Sequence, residues 1–392
     1  MQSTPDVVEP HSFGADFFEP TDAALRARTA AVDIRAYAQT RNHLQGQVTR
    51  LSPYLTHGFT SVPELFERLP ALRLTDKLAF EFGWREFFQH VWYREGEAIL
   101  SDLRPALPGV HYSDRLPDDI RAACTGVAPI DNAVRQLYRT GYLHNHARMW
   151  VASYCVHLRK VHWRTGADWM YAHLMDGDLA SNHLSWQWVA ATFSSKPYLF
   201  NADNVARFAP PDWHCPGSAI DVSYEALEQI ARGNDLVAPS PAATGTTEPI
   251  LHSAPPGIRT STLPAASRIR LVHPWMLADM PFDGLRLGVI HQPFHRRFPW
   301  SDLRWRFVMD RMSGVTDAVF VGDLSDLTAM LNTTVHFEST ATPYPGYREQ
   351  LAQLCAYLPE ALRHFPNPER TCRSFSAFWA QCTNSMPHRS PP

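Results

Sequence analysis

The stretch "LVAPSPAATGTTEPILHSAPPGIRTSTLPAAS", inside residues 216–267, separates two halves of this chain that follow different periodicities. It is rich in Pro, Ser, Thr, Ala and Gly, a composition that cannot bury a core and reads as a linker. Before it, apolar residues recur at helical spacing; after it, short β-rich runs alternate with helical ones. A chain of 392 residues is long enough for two domains with a core each. The predicted fold is therefore multi-domain: an N-terminal tail over 1–20, an all-α domain over 21–215, a linker over 216–267, and a small Rossmann-like α/β domain over 268–392.

In the helical half, "PTDAALRARTAAVDIRAYAQTR" offers Thr21 and Asp22 as helix caps, and "TDKLAFEFGWREFFQHVWYREGEAIL" reads as a long helix, apolar on more than one face. "APIDNAVRQLYRTGYLHNHARMWVASYCVHLRKV" gives two helices parted at Gly141. In the last half, "RIRLVHP", "LRLGVIHQ", "DAVFVGD" and "TVHFEST" read as strands, and "SDLRWRFVMDRM", "LSDLTAML" and "GYREQLAQLCAYL" as helices. Such alternation argues a mostly parallel sheet.

Whole-chain properties remove some function classes. A formal net charge of -3 gives no overall attraction to nucleic acid or membrane, although a local basic groove remains compatible with it. The six cysteines form no CxxC pair and no metal-like spacing, which fits reduced thiols and predicts no metal site. No apolar run approaches a membrane span, and "MQSTPDVVEP" has no export signature, so a cytoplasmic location and no membrane partner are expected.

Three polar clusters interrupt the apolar helices. In "DGDLASNHLSWQW", a helix starting near Asp178 puts Asp178, Asn182 and Trp186 on one face. In "EFGWREF", Glu81, Trp84 and Arg85 share a face; in "HNHARM", Asn145, Arg148 and Met149 repeat that spacing. Charged residues are rarely buried unless paired, so internal ion pairs, such as Arg148 with Asp176, are one explanation. The other is a pocket for a large, flat ligand with polar edges. A fourth feature, "TRLSPYLTHG", places Thr49, Arg50 and Ser52 at a helix start, where N–H groups and hydroxyls can hold a phosphate. Tyr37 and Arg41 lie one turn apart upstream.

The order "TRLSPYL", "EFGWREF", "GYLHNHARMWVAS", "DGDLASNHLSWQW" and "KPYLFN", over about residues 30–208, resembles the helical flavin-binding domain of DNA photolyases and cryptochromes. The resemblance implies FAD as cofactor. Tyr37, Thr49, Arg50, Leu51 and Ser52 would hold its pyrophosphate, and Asn145, Arg148, Asp176, Gly177 and Asp178 would line its ring and ribityl chain. Asn182 would face flavin N5, where photolyases typically carry Asn, plant cryptochromes Asp and insect ones Cys. A neutral amide offers N5 no readily available proton, whereas a carboxylic acid does. The resemblance further implies UV-damaged DNA as partner, with a flipped-out pyrimidine dimer in the pocket. Trp84 and Trp188 would be its aromatic walls, Glu81 and Asn145 its polar contacts and Met149 an apolar lining, with Arg85 and His146 toward the DNA. Trp186 and Trp163 match the inner members of the family's electron relay, though ordinary core tryptophans would read the same.

Several positions depart from the family pattern. Pro117 stands near the usual outer tryptophan of the relay, with Tyr112 a candidate replacement. His146 replaces a basic residue, and "HLS" follows Asn182 where many photolyases have "NGG". The helical pattern begins almost at once and the α/β segment comes last, so no antenna chromophore is expected. Dimer repair by light-driven electron transfer is the leading expectation. A flavin photoreceptor without repair, or a flavin-binding relic, would have no need of Glu81, Trp84, Asn145, Met149 and Trp188 together.

Overall fold

A computed structural model describes residues 17–238, 245–330 and 335–385; most of the expected tail, residues 1–16, lies outside them. The helical half comprises α1 (Asp22–Ala30), α2 (Ile34–Thr40), α3 (Ser52–Thr56), α4 (Val62–Arg68), α5 (Lys77–Glu95), α6 (Asp118–Arg121), α7 (Ala128–Thr140), α8 (Asn145–Ser153), α9 (Trp163–His173), α10 (Leu179–Ala190) and α11 (Ala202–Phe208). Local chemistry sets their ends. Thr21 caps α1 by accepting from the Ala24 N–H, Ser61 and Glu64 form a capping box on α4, and Gly141 closes α7 in the left-handed region at φ 67°. A short π-helical turn, Tyr154–Leu158, ends α8.

Residues expected to be linker are partly regular. They carry α12 (Tyr224–Arg232), whose last carbonyls at Ile230 and Ala231 accept from the Lys160 ammonium, and β1 (Leu251–His252). Glu248 is held by Arg121 and by His173, whose Nε2 lies 2.9 Å away. A Pro- and Ser-rich composition prevents a core of its own, but it leaves single side chains free to dock on a core made elsewhere.

The C-terminal half contains β2 (Arg268–Val272), β3 (Leu285–His291), α13 (Gln292–Arg297), β4 (Trp300–Ser301), α14 (Asp302–Val315), β5 (Ala318–Gly322), β6 (His336–Glu338), α15 (Tyr347–Leu354) and α16 (Phe375–Ser385). Strands β5-β3-β2-β6 form a four-stranded sheet, every pair parallel, with Leu271 opposite Leu287 and Ile290 opposite Val321. β3 is buried along nearly its whole length, as suits a parallel strand covered on both faces. The β2–β3 connection contains no helix, and "LSDLTAML" forms two 3-10 turns, Leu324–Asp326 and Thr328–Met330, rather than one helix. That run is too short to gain from helical cooperativity.

The expectation of one core per half is corrected. One apolar cluster runs unbroken from α1, α3, α5 and the first half of α10 into the sheet, α14 and α16; the other lies within α6–α9, the end of α10, α11 and α12. Phe59 stacks on Phe307 at 5.4 Å, and Arg311 of α14 pairs with Asp22 of α1 at 2.9 Å.

Candidate functional site

The three polar clusters converge. Helices α5, α8, α9 and α10 enclose a cleft of about 200 Å³, lined by Glu81, Trp84, Arg85, Asn145, Arg148, Met149, Asp176, Asp178, Asn182 and Trp186. The turn from α9 to α10 forms its floor. There Asp178 caps α10, accepting from the Ser181 N–H at 2.8 Å, so helix geometry fixes where its carboxylate sits.

Asp176 is buried and paired with Arg148, whose Nη2 lies 3.0 and 2.8 Å from the two carboxylate oxygens. The internal ion pair foreseen from sequence is thus present, and it forms part of the cleft wall. Asp178 accepts from Gln89 Nε2 at 3.0 and 2.9 Å. Asn182 is buried and donates to the Ala167 carbonyl at 2.8 Å, which orients its amide. Half-buried Glu81 meets Arg41 Nε at 3.4 Å, and burial raises its carboxyl above the usual range despite that cation. Asn145 is exposed and directs its amide nitrogen to Met149 Sδ at 3.6 Å.

Other expected residues lie elsewhere. Trp188, expected as the second aromatic wall, does not line the cleft; its ring is 5.8 Å from Tyr198. Trp188 and Asn182 are six positions apart on α10, so the two project to different sides of the helix. Trp84 itself is covered on one face, since Phe375 of α16 stacks on it at 4.2 Å and 8°. His146 also lies off the cleft, 4.9 Å from Phe208, and burial and Arg41 lower its pKa to about 4, so it carries no charge at neutral pH.

Thr49, Arg50, Leu51 and Ser52 stand at the N-terminal end of α3, outside the cleft lining. The other end of α3 reaches the site: Thr56 donates to the Asp176 carbonyl at 3.2 Å and receives from Arg85 at 3.4 Å. Tyr37 is held protonated by burial and by nearby Glu81.

Trp186 lines the cleft and packs on Gly166, while Trp163 donates to Asp102 at 2.5 Å. The His162 ring lies 5.7 Å from Trp163 and 6.4 Å from Tyr112, whose buried hydroxyl has no hydrogen-bond partner among the described residues.

Sequence reasoning missed Gln89, Arg304, Tyr344 and Phe375. Gln89 was findable, because it stands eight residues after Glu81 on the same face of α5. The other three come from the C-terminal half, where no local pattern announces them.

The donor set fits a flavin. Two buried carboxylates, an oriented amide and a guanidinium face a flat indole, matching a ring whose edge alternates N–H and carbonyl groups. The open volume of about 200 Å³ is below the roughly 300–1,000 Å³ of ordinary ligand pockets.

Residues 78–211 match the family described as the FAD binding domain of DNA photolyase. A deoxyribodipyrimidine photo-lyase from Streptomyces griseus is 37% identical over 165 residues, 40% of this chain and 35% of that protein. A cryptochrome DASH from Idiomarina loihiensis is 33% identical over 214 residues, 50% of this chain and 46% of that protein. The crystal structure of an archaeal photolyase from Sulfolobus tokodaii with two FAD molecules is 26% identical, with a TM-score of 0.38 over 47% of this chain and 44% of the other. The chain thus spans about half, or less, of the length of these relatives.

Proposed function

We propose, from the match of residues 78–211 to the FAD binding domain of DNA photolyase, that the protein is a light-driven flavoenzyme of that family that splits pyrimidine dimers in DNA. The observation that carries the proposal is the meeting of Glu81, Trp84, Asn145 and Met149 with Asp176, Asp178 and Asn182 in one cleft. A flavin pocket alone would not need the first four.

Reduced FAD, when bound, would supply under blue light the electron that opens the dimer bonds and is afterwards returned. Asp176, fixed by Arg148, and Asp178, fixed by Gln89, would accept from the cofactor's N–H groups. Asn182 would present its amide to the ring and, having no acidic proton, would not protonate it. Trp84 would stack on one base of a flipped-out lesion, and Glu81 and Asn145 would address its polar edge. The apolar side chains of Met149 and Phe88 would exclude water from the reacting pair. Trp186 and Trp163, with Tyr112 beyond them, would carry electrons inward to restore the reduced cofactor.

The face of Trp84 covered by Phe375 favours a second reading, a flavin photoreceptor that performs no repair. The parallel sheet would then serve as a Rossmann-like platform for a signalling partner. Among the described residues no helix is long and apolar enough to cross a membrane, and the six free cysteines fit a reducing, cytoplasmic setting.

The deciding experiment loads the chain with FAD, reduces it chemically and follows dimer loss in UV-damaged oligonucleotides under blue light. Dimer loss that requires light supports repair. A coloured, reduced sample that leaves every dimer intact selects the photoreceptor, and a protein that takes up no FAD removes both.

A further inference from the structure

The Met175–Asp178 turn is gripped at four consecutive residues. The Met175 carbonyl lies 2.8 Å from His57 Nε2, while Nδ1 of the same ring lies 2.8 Å from the Pro274 carbonyl in the C-terminal half. The Asp176 carbonyl accepts from Thr56. The Gly177 carbonyl accepts from Arg304 Nη2 of α14 at 2.6 Å, and the Asp178 carboxylate accepts from the Tyr344 hydroxyl at 3.3 Å.

Arg304 is the least economical of these groups. It is fully buried, and no carboxylate stands within ion-pair distance of it among the described residues. Its Nη1 donates to the Tyr171 carbonyl at 3.1 Å, its guanidinium covers the Trp300 ring at 3.8 Å, and its Nε has no partner among the described residues. Burying a cation without a counter-ion is costly, and an apolar side chain would pack more favourably if packing were the only role. The approach to the turn is also specific. A Cβ on residue 177 would stand 2.4 Å from Arg304 Nη1, so this contact requires glycine.

Tyr344 is equally fixed. It follows β6 and stacks on Trp275, which follows the neighbouring β2, at 3.4 Å and 10°. That crevice at the carboxyl edge, where the strand order reverses, is where open parallel sheets take ligands. Two rings fill it, and the Tyr344 hydroxyl points out of it to Asp178. Burial and the Asp178 charge keep that phenol protonated, so it remains a donor.

We propose that the sheet-bearing half is a clamp on the Met175–Asp178 turn, with Arg304 and Tyr344 as positioning residues for the ring that the cleft receives. The clamp rests on the flavin reading for its purpose but not for its existence. Its chemical consequence is electrostatic. The Arg304 charge and the Tyr344 hydrogen bond offset the negative charge of Asp178 beside the ring, which favours a ring that has gained electrons.

The test uses the full chain with Tyr344→Phe and, separately, Arg304→Gln. Amide hydrogen exchange over residues 175–182 is read without FAD, and the reduction potential of bound FAD is read with it. Losing the hydroxyl's bond to the Asp178 carboxylate, long at 3.3 Å, should speed exchange of the turn by about threefold to tenfold in Tyr344→Phe, and losing the guanidinium's shorter bond to the Gly177 carbonyl by tenfold or more in Arg304→Gln. Both variants should also hold FAD at a more negative potential, a shift that simple loss of packing would not produce. If Arg304→Gln fails to fold, Tyr344→Phe decides alone. Unchanged exchange of the turn, or a wild-type potential in a variant that binds FAD, overturns the clamp. A wild-type chain that binds no FAD, yet whose turn loosens in the variants, supports the clamp and removes the flavin reading instead.

Discussion

The Trp84 indole and the Phe375 ring lie face to face, 4.2 Å apart and 8° from parallel, although 291 positions (375 − 84) separate them in the chain. Phe375 is the first residue of α16 and is 5% exposed, and Trp379 of the same helix fills the space above Gly83. Phe375→Ala should lower stability by about 3 kcal/mol, the low end for deleting a buried phenyl ring. In a double-mutant cycle with Trp84→Ala, about 1 kcal/mol should be coupling between the two rings. Urea unfolding of the four proteins measures both, and zero coupling would show that the stack contributes nothing. The same variant bears on function: if the uncovered indole face is the lesion wall, a damaged oligonucleotide should bind more tightly to Phe375→Ala than to wild type.

Asn182→Asp probes the cleft without any cofactor. The amide nitrogen that donates to the Ala167 carbonyl at 2.8 Å becomes an acceptor facing an acceptor. Burial and that carbonyl would raise the folded pKa of the new carboxyl above its unfolded value of about 3.9, so the native state binds the extra proton. Stability relative to wild type should therefore be nearly unaffected near pH 4 and fall by about 2 kcal/mol as pH rises to 7.5. Urea midpoints at the two pH values give the answer; a penalty independent of pH would place the side chain in water.

Acid lability should come mainly from buried histidines. Burial lowers His144, His146, His157 and His273 each to about 4 and His57 to about 3, so unfolding takes up protons on them between about pH 3 and 6.5. Glu86 acts with the opposite sign. Burial raises it to about 6 although it accepts from the His364 and Phe365 N–H groups, so its contribution is present at low pH and lost as pH rises. Five groups against one leave about four protons taken up on unfolding near pH 5, a slope on the order of 5 kcal/mol per pH unit. Stability should climb steeply from pH 4.5 to 6.5, and a flat profile of urea midpoint against pH would contradict the assignment.

Gly166→Ala sets two known effects against each other. Replacing a mid-helix glycine gains about 1 kcal/mol in helix propensity. The added Cβ would stand 2.3 Å from Cζ3 of the Trp186 indole, and overpacking of that kind costs about 1–3 kcal/mol. Since Trp186 is 2% exposed and would have to turn into the cleft to make room, the clash should win, lowering the melting temperature and altering the near-UV circular dichroism of the indoles. A more stable variant would mean that the ring moves aside freely.

Much of the site was legible because helices convert spacing into adjacency. Glu81, Trp84 and Arg85, like Asn145, Arg148 and Met149, sit one turn apart, and the structure brings both groups to one cleft with Asp176, Asp178 and Asn182. A helix start near Asp178 is equally local, whereas the Arg148–Asp176 pair joins two elements and was foreseen only because buried charges need partners. Trp188 failed the same test, since its place two residues after Trp186 already turned it to another side of α10. The 216–267 segment was misjudged for a different reason: composition reports whether a stretch can bury its own core, and α12 packs on the π-helical turn of the helical half.

By itself the sequence determined much of the helical half and which polar side chains share a face, because these depend on residues within a turn or two of one another. Only the tertiary structure decided what covers Trp84, what grips the turn before Asp178, and that the two halves share an apolar cluster. Those contacts join Phe375 to Trp84, Tyr344 to Asp178 and Arg304 to Gly177. Each pairs residues more than a hundred positions apart, and their meeting is set by how whole layers pack, which no local periodicity encodes.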